Sequence, residues 1–285
     1  VLDISQKHEK ILYPIVRVRT EKAGGSGTII YSQLGREEKS NQRYQTFVLT
    51  NSHVIEGAIS TKEEWDSLIK KKVEKEILEK VIVETFDYVD LSKVVSSNSH
   101  KADIVAYDKS HDLAILMLDS PKELPNVAPI IPQKDIEELK LFTKVYACGC
   151  SLLHDPFANP GEITYLKEII ENKEYIMSNN NSIFGNSGGA LFREDGVLIG
   201  VTSRITGVQI GYGHDIMTWM GFSCHPCRIY QFLKEQELRF IYDEKDSYEK
   251  ATKRRKKKQK EHLLAYLRER EKPQTSDDAV EIVKG

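Results

Sequence analysis

No uninterrupted apolar stretch in these 285 residues reaches the roughly 18 that a membrane-spanning helix needs. A soluble globular chain is therefore expected. Cysteine is scarce: Cys148, Cys150, Cys224 and Cys227 are the only four, in two tight pairs, which is not the pattern of a disulfide-stapled scaffold. Reduced thiols are the default reading. The opening residues, Val1 to Lys10, have neither the basic start nor the apolar core of a signal peptide. A cytoplasmic location is the expectation, although an initial Val leaves a removed leader open. Net charge is almost absent too, since 41 Lys and Arg face 43 Asp and Glu for a total of −2.

What is present begins with a core. Hydrophobic residues make up 40% of the chain, and at roughly 150 residues per domain the length suits two domains or one two-lobed domain with an appendage. The near-neutral total hides a segregation of charge. Glu249 to Lys272 holds eleven Lys and Arg against four Glu, a local +7 that leaves −9 on the rest. Lys253 to Lys258 is an unbroken basic run, followed by Leu263, Leu264, Tyr266 and Leu267. With no Gly or Pro from Arg228 to Glu271, one or two helices are predicted there, ended by Pro273. The run has three open readings: a solvated helix face, a contact with nucleic acid or an acidic protein, and an anionic membrane surface.

Upstream, short β-rich segments recur: 13–19, 27–31, 45–49, 104–107, 113–118, 145–148, 190–192, 197–203 and 221–223, separated by Gly, Asn, Asp and Ser. Such a series predicts an all-β sandwich or barrel arrangement. One segment breaks the pattern. From Lys62 to Val81, apolar Trp65, Leu68, Ile69, Val73, Ile77, Leu78 and Val81 recur at steps of three and four among Lys and Glu, the period of an amphipathic helix.

Three motifs carry chemistry. In Gly185-Asn186-Ser187-Gly188-Gly189-Ala190-Leu191, glycines flank a serine ahead of an apolar strand, which suits an exposed nucleophile beside backbone N–H groups turned toward an oxyanion. The same wording also describes a plain tight turn. Leu49-Thr50-Asn51-Ser52-His53-Val54 delivers a histidine from the end of an apolar strand, where an imidazole serves as a general base or as an ordinary structural side chain. In His111-Asp112-Leu113-Ala114-Ile115-Leu116 an acid precedes a fully apolar strand, a place from which a carboxylate holds a histidine in the right tautomer. Asp103 and His111 are the competing acid and base, each read as solvated.

Together these segments resemble the trypsin-like serine peptidases of the chymotrypsin fold, and most closely the HtrA/Deg-type branch. Gly25-Ser26-Gly27-Thr28-Ile29-Ile30, Val145-Tyr146-Ala147-Cys148-Gly149 and Gly221-Phe222-Ser223 look like the family's early strand, second-barrel entry and last strand. The likeness runs from about Ile11 to Leu238. It implies two six-stranded antiparallel β-barrels, here with an inserted helix over 62–81 and a basic helical extension, and domains spanning 1–243 and 244–285. It also implies a serine endopeptidase with His53, Asp112 and Ser187 catalytic, the N–H groups of Gly185 and Ser187 as oxyanion hole, a protein or peptide substrate, and no metal or organic cofactor.

By family position Asn179 to Ile183, Asn181 among them, with Ser203, Arg204, Ile205 and Met220-Gly221, line the pocket for the residue before the cut. No buried Asp selects Lys or Arg there. A small or medium uncharged residue is expected, or an acidic one if Arg204 points inward. Asn186 stands where digestive relatives have an Asp that pairs with a newly released N-terminus, so that activation is not expected. The His-to-Asp separation exceeds that of the HtrA branch, and no PDZ-like segment follows Leu238. For Cys148-x-Cys150 and Cys224-x-x-Cys227, buried thiols are expected over a zinc site, because the fold puts the two strands on different sides. A homo-oligomer or an acidic partner is expected through the C-terminal helix, with nucleic acid a further partner. The competing reading from another class is a catalytically silent scaffold or peptide-binding protein that keeps only the peptidase fold.

Overall fold

A computed structural model describes residues 2–34, 44–66, 71–181, 185–210 and 213–271. Two compact units divide the chain, Val1–Phe232 and Leu233–Gly285.

The first unit is built from strands. In chain order they are β1 (Ile15–Arg19), β2 (Gly24–Leu34), β3 (Tyr44–Thr50), β4 (Ile59–Asp66), β5 (Lys71–Leu78), β6 (Val81–Val89), β7 (Lys93–Asp108) and β8 (Leu113–Ser120). After these come β9 (Lys144–Gly149), β10 (Phe157–Ile170), β11 (Lys173–Ser178), β12 (Ala190–Arg193), β13 (Leu198–Ile210) and β14 (Gly213–Cys224). Antiparallel pairing closes β1-β2-β3-β8-β7-β6 into one barrel and β10-β11-β14-β13-β12-β9 into another. The expected pair of six-stranded barrels is what the chain forms.

Val16, Val18, Val48, Val83, Leu116 and Leu118 fill the first barrel. Each such side chain, taken wholly out of water, favours the fold by about 1.5–3 kcal/mol. Phe47, Val48 and Leu49 are all fully buried, as in a strand covered on both faces. That fixes where β3 ends, and so where the polar run Thr50-Asn51-Ser52-His53 begins. A one-turn helix, α1 (Ser52–Ile55), takes His53 out of the barrel wall.

The segment read as an amphipathic helix over 62–81 is instead the hairpin β4–β5, with residues 67–70 outside the described ones. Its Lys and Glu pair across the strands rather than along a helix: Lys72 Nζ lies 3.2 Å from Glu63 and Lys75 Nζ 3.1 Å from Glu64. Trp65, Ile77 and Leu78 are exposed and so form no buried stripe, while Val81 is buried as the first residue of β6. Spacings of three and four therefore arose from two strands and the start of a third. At the base of the hairpin the Glu79 amide donates to the Ala58 carbonyl (2.8 Å).

Two longer helices follow the barrels, α2 (Pro226–Glu235) and α3 (Tyr248–Glu271). Within the second unit, Arg254 bonds Glu237 and Asp246, and Lys258 donates to the Glu235 carbonyl at 2.8 Å. Lys253, Lys256, Lys257 and Lys260 are exposed at the spacing of one helix face. Pro273 lies outside the described residues. No helix among the described residues is long and apolar enough to cross a membrane.

Candidate active site

Asp112 occupies the turn between β7 and β8 with φ of +54°, a left-handed conformation that Asp tolerates better than most residues. Asn51 Nδ2 donates to its carbonyl at 2.7 Å and so fixes the turn against the end of β3. The carboxylate then meets His53: Nδ1 donates to Oδ1 at 2.9 Å and to Oδ2 at 3.0 Å, and the His53 amide donates to Oδ1 at 3.2 Å. Ser203 Oγ donates to Oδ2 at 2.8 Å and Ser52 Oγ to Oδ1 at 3.2 Å. Burial pushes the Asp112 carboxyl up, but the hydrogen bond and charge of His53 and the Ser203 hydroxyl outweigh it, and the net shift is downward. The ion stays charged although the Asp112 side chain is only 16% exposed.

Ser187 comes from the second barrel, in the turn before β12. Its Oγ donates to the Ser203 carbonyl at 3.5 Å, and among the described residues it makes no hydrogen bond with His53. Ser203 thus joins the two halves, its hydroxyl on Asp112 and its carbonyl on the serine. Bonds between base and nucleophile commonly tighten only once substrate is seated. Glycine is required on both sides of this turn. Gly185 and Gly188 have φ of +94° and +85°, and a Cβ on Gly188 would lie 2.1 Å from the Ser26 carbonyl oxygen. The Gly188 amide donates to Thr202 and the Gly189 amide to Asn186. The amides of Gly185 and Ser187 donate to no group among the described residues. Two unspent N–H groups beside a half-buried hydroxyl can receive a developing oxyanion.

The expected pocket residues scatter more. Asn181 is exposed and its carbonyl accepts from Asn159 Nδ2 (2.9 Å). Asn179 Oδ1 accepts from the Glu162 amide (2.7 Å), while buried Asn180 donates to the Asn159 and Val145 carbonyls. Arg204 and Ile205 pair with Phe222 and Gly221 in the β13–β14 ladder, but their side chains, like residues 182–184, lie outside the described ones. Gly221 is buried. Asn186, where an ion pair was not expected, accepts a hydrogen bond from Ser151 Oγ.

The competing groups are engaged elsewhere. Asp103 pairs with Lys80. His111, read as solvated, is half-buried with its ring 6.3 Å from that of Phe232. Cys148, Cys150 and Cys224 are buried, Cys227 is exposed, and all four are free. Burial pushes the Cys224 thiol up to about 12 and those of Cys148 and Cys150 higher still. β9 and β14 are not neighbours in the barrel. Among the described residues no His, Cys, Asp and Glu side chains gather into a set that could hold a metal.

Comparison with known proteins places this geometry. The sequence matches the family described as trypsin-like peptidase domain over residues 25–201, more than half of the chain. The chain belongs to the trypsin-like peptidase family. Its relatives within that family are of HtrA/Deg type. A probable periplasmic serine endoprotease DegP-like of Halomonas elongata is 27% identical over 169 residues, 58% of this chain and 28% of that protein. One of the same description from Pseudomonas putida is 27% identical over 192 residues, 66% and 30% of the two chains. Protease Do-like 1, chloroplastic, of Arabidopsis thaliana is 30% identical over 125 residues, 40% and 28%. This trypsin-like peptidase chain therefore spans about three tenths of the length of the curated relatives it matches. Among solved structures, a serine-to-alanine variant of the HtrA-type protease AlgW with a tripeptide superposes with a TM-score of 0.56 at 16% identity, covering 83% of this chain and 64% of that one. That likeness shows a shared trypsin-like fold.

Proposed function

We propose that this chain is a serine endopeptidase working through Ser187, His53 and Asp112 and a covalent acyl-enzyme. Ser187 Oγ attacks the scissile carbonyl carbon while His53 Nε2 takes its proton. The C–N bond then breaks, the amine leaves with that proton, and water, deprotonated by His53, hydrolyses the ester. Asp112 holds Nδ1 protonated, so that Nε2 is free to act as base, and stabilises the imidazolium. The Gly185 and Ser187 amides receive the oxyanion. The observation that supports this reading best is Asp112 gripping His53 Nδ1 with both oxygens while Ser203 ties Asp112 to Ser187.

Asn181, Ser203, Arg204, Ile205 and Gly221 are proposed to border the pocket for an uncharged small or medium residue. We assign the peptidase domain to 1–243 and to the segment 244–285 a separate role in self-association or in holding an acidic partner or nucleic acid, within a reducing, cytoplasmic setting. One observation favours the silent-scaffold reading: Ser187 Oγ is directed at the Ser203 carbonyl rather than at His53.

A fluorophosphonate probe separates the two. The wild-type chain is expected to label and to hydrolyse peptides, and Ser187→Ala to do neither while keeping its fold. Full hydrolysis by Ser187→Ala, or a wild type that never labels, sinks the assignment.

A further inference from the structure

Ser26 lies on β2 in the first barrel, fully buried, with no part in the proton relay. Its polar groups are nevertheless spent on the nucleophile's turn in the other barrel. The Ser26 amide donates to the Ser187 carbonyl (2.8 Å), and its Oγ donates to the Gly185 carbonyl (2.7 Å). The same Oγ accepts from the Cys150 amide (2.7 Å). An amide only donates, so the hydroxyl proton is left for Gly185 and the direction of that bond is fixed. Thr50 Oγ1 in turn donates to the Ser26 carbonyl at 2.7 Å, which holds Ser26 itself in place.

Peptide planarity converts these bonds into aim. A carbonyl shares its plane with the next residue's amide, so holding the Gly185 carbonyl fixes the 185–186 unit and holding the Ser187 carbonyl fixes the 187–188 unit. The Ser187 amide belongs to the unit enclosed between those two. The Gly185 amide belongs to the unit just before them. Gly185, at φ of +94°, reaches both signs of φ at little cost, so without a partner for its carbonyl this turn has no strong preference for one orientation. Ser151 Oγ on Asn186 holds the residue between.

We propose that Ser26 is a positioning residue of the oxyanion hole, its hydroxyl and amide keeping the Gly185 and Ser187 N–H groups aimed at one point. This rests on the peptidase reading. The role differs from barrel docking alone, because it acts where charge develops in the transition state and not on bound substrate.

The test compares full-length wild type, Ser26→Ala and Ser32→Ala. Ser32 Oγ shares a buried hydrogen bond with Thr46 (2.8 Å) and accepts from the Leu124 amide (3.3 Å), both away from the site, so its loss reports stability alone. Using the best peptide from a cleavage-site profile and a peptide boronate of the same sequence, Ser26→Ala is expected to lower kcat by about 10- to 100-fold. KM should stay within about twofold and boronate affinity fall with kcat, below the 10²–10³ of deleting an oxyanion donor outright. Ser32→Ala should lower the thermal midpoint and leave kcat unchanged. If Ser26→Ala does not fold, Ser26→Cys, which keeps the side chain's shape and a weak donor, should still lose more than about threefold in kcat at constant KM. Unchanged kcat and boronate affinity in the folded Ser26 variant overturn the inference, as does an equal loss in Ser32→Ala. A wild type that neither labels nor binds boronate overturns the peptidase reading as well.

Discussion

Asp112 accepts from His53, Ser52 and Ser203 at once, and its lowered pKa makes it a contributor to stability, besides the catalytic role proposed for it. A carboxyl whose folded pKa lies below its unfolded one stabilises the fold above the unfolded value and loses that contribution as pH falls through the folded one. Here the window starts near the ordinary value of 3.8 and extends below it. Asp112→Asn should therefore flatten the acid limb of the stability curve, read by thermal midpoints from pH 2 to 6, and lower kcat by about 10⁴, the size of this change in other triads. An unaltered rate would refute Asp112 as the acid. Gly188→Ala is the strictest backbone test: its Cβ meets the Ser26 carbonyl, and we expect a destabilisation of at least about 3 kcal/mol by denaturant titration. The residues proposed as the triad, His53, Asp112 and Ser187, stood out in the sequence because each is marked locally, at a strand end or between glycines. Ser26, Ser52 and Ser151 did not, since ordinary serines become significant only through partners 159, 60 and 35 residues away.

Among the elements, the strands of both barrels that bury a continuous apolar run, such as β3 and β8, could be read directly. β10 and β11 could not, because Pro160, Gly161 and charged residues break the alternation of β10, and β11 is short and opens on Lys173 and Glu174. The β4–β5 hairpin was misread for a physical reason: apolar residues of two strands and the start of a third fell at helical spacing, whereas the ion pairs Lys72–Glu63 and Lys75–Glu64 bridge residues too far apart in sequence to meet on one helix face. Its Lys62–Lys75 and Glu63–Glu74 positions set like charges opposite each other, which weakens a two-stranded sheet. Replacing 60–77 by a short Gly-Ser connection should shift the thermal midpoint by no more than about 2 °C and leave peptide hydrolysis intact. A drop in kcat would reveal that the hairpin reaches the site.

At the scale of the whole molecule, both barrels are closed by Cys224, and truncation after Asp243 should leave hydrolysis of a short peptide within about twofold. Association is what should go. Sedimentation of full-length and truncated protein separates the routes by salt, since contacts through exposed lysines weaken steeply with ionic strength and apolar packing does not. The division of the site between barrels has a temporal side. His53 and Asp112 are 59 residues apart, whereas the bond from Ser26 to Gly185 closes a loop of 159, and distant closures come late and slowly in folding. On dilution from denaturant, circular dichroism of the strands should recover before fluorophosphonate uptake, and simultaneous recovery would contradict this. On the proposed peptidase reading, the first barrel leaves the ribosome with the base and the acid but no nucleophile. Ser187 follows only with the second barrel, so a half-made chain would be unable to cut itself or its neighbours.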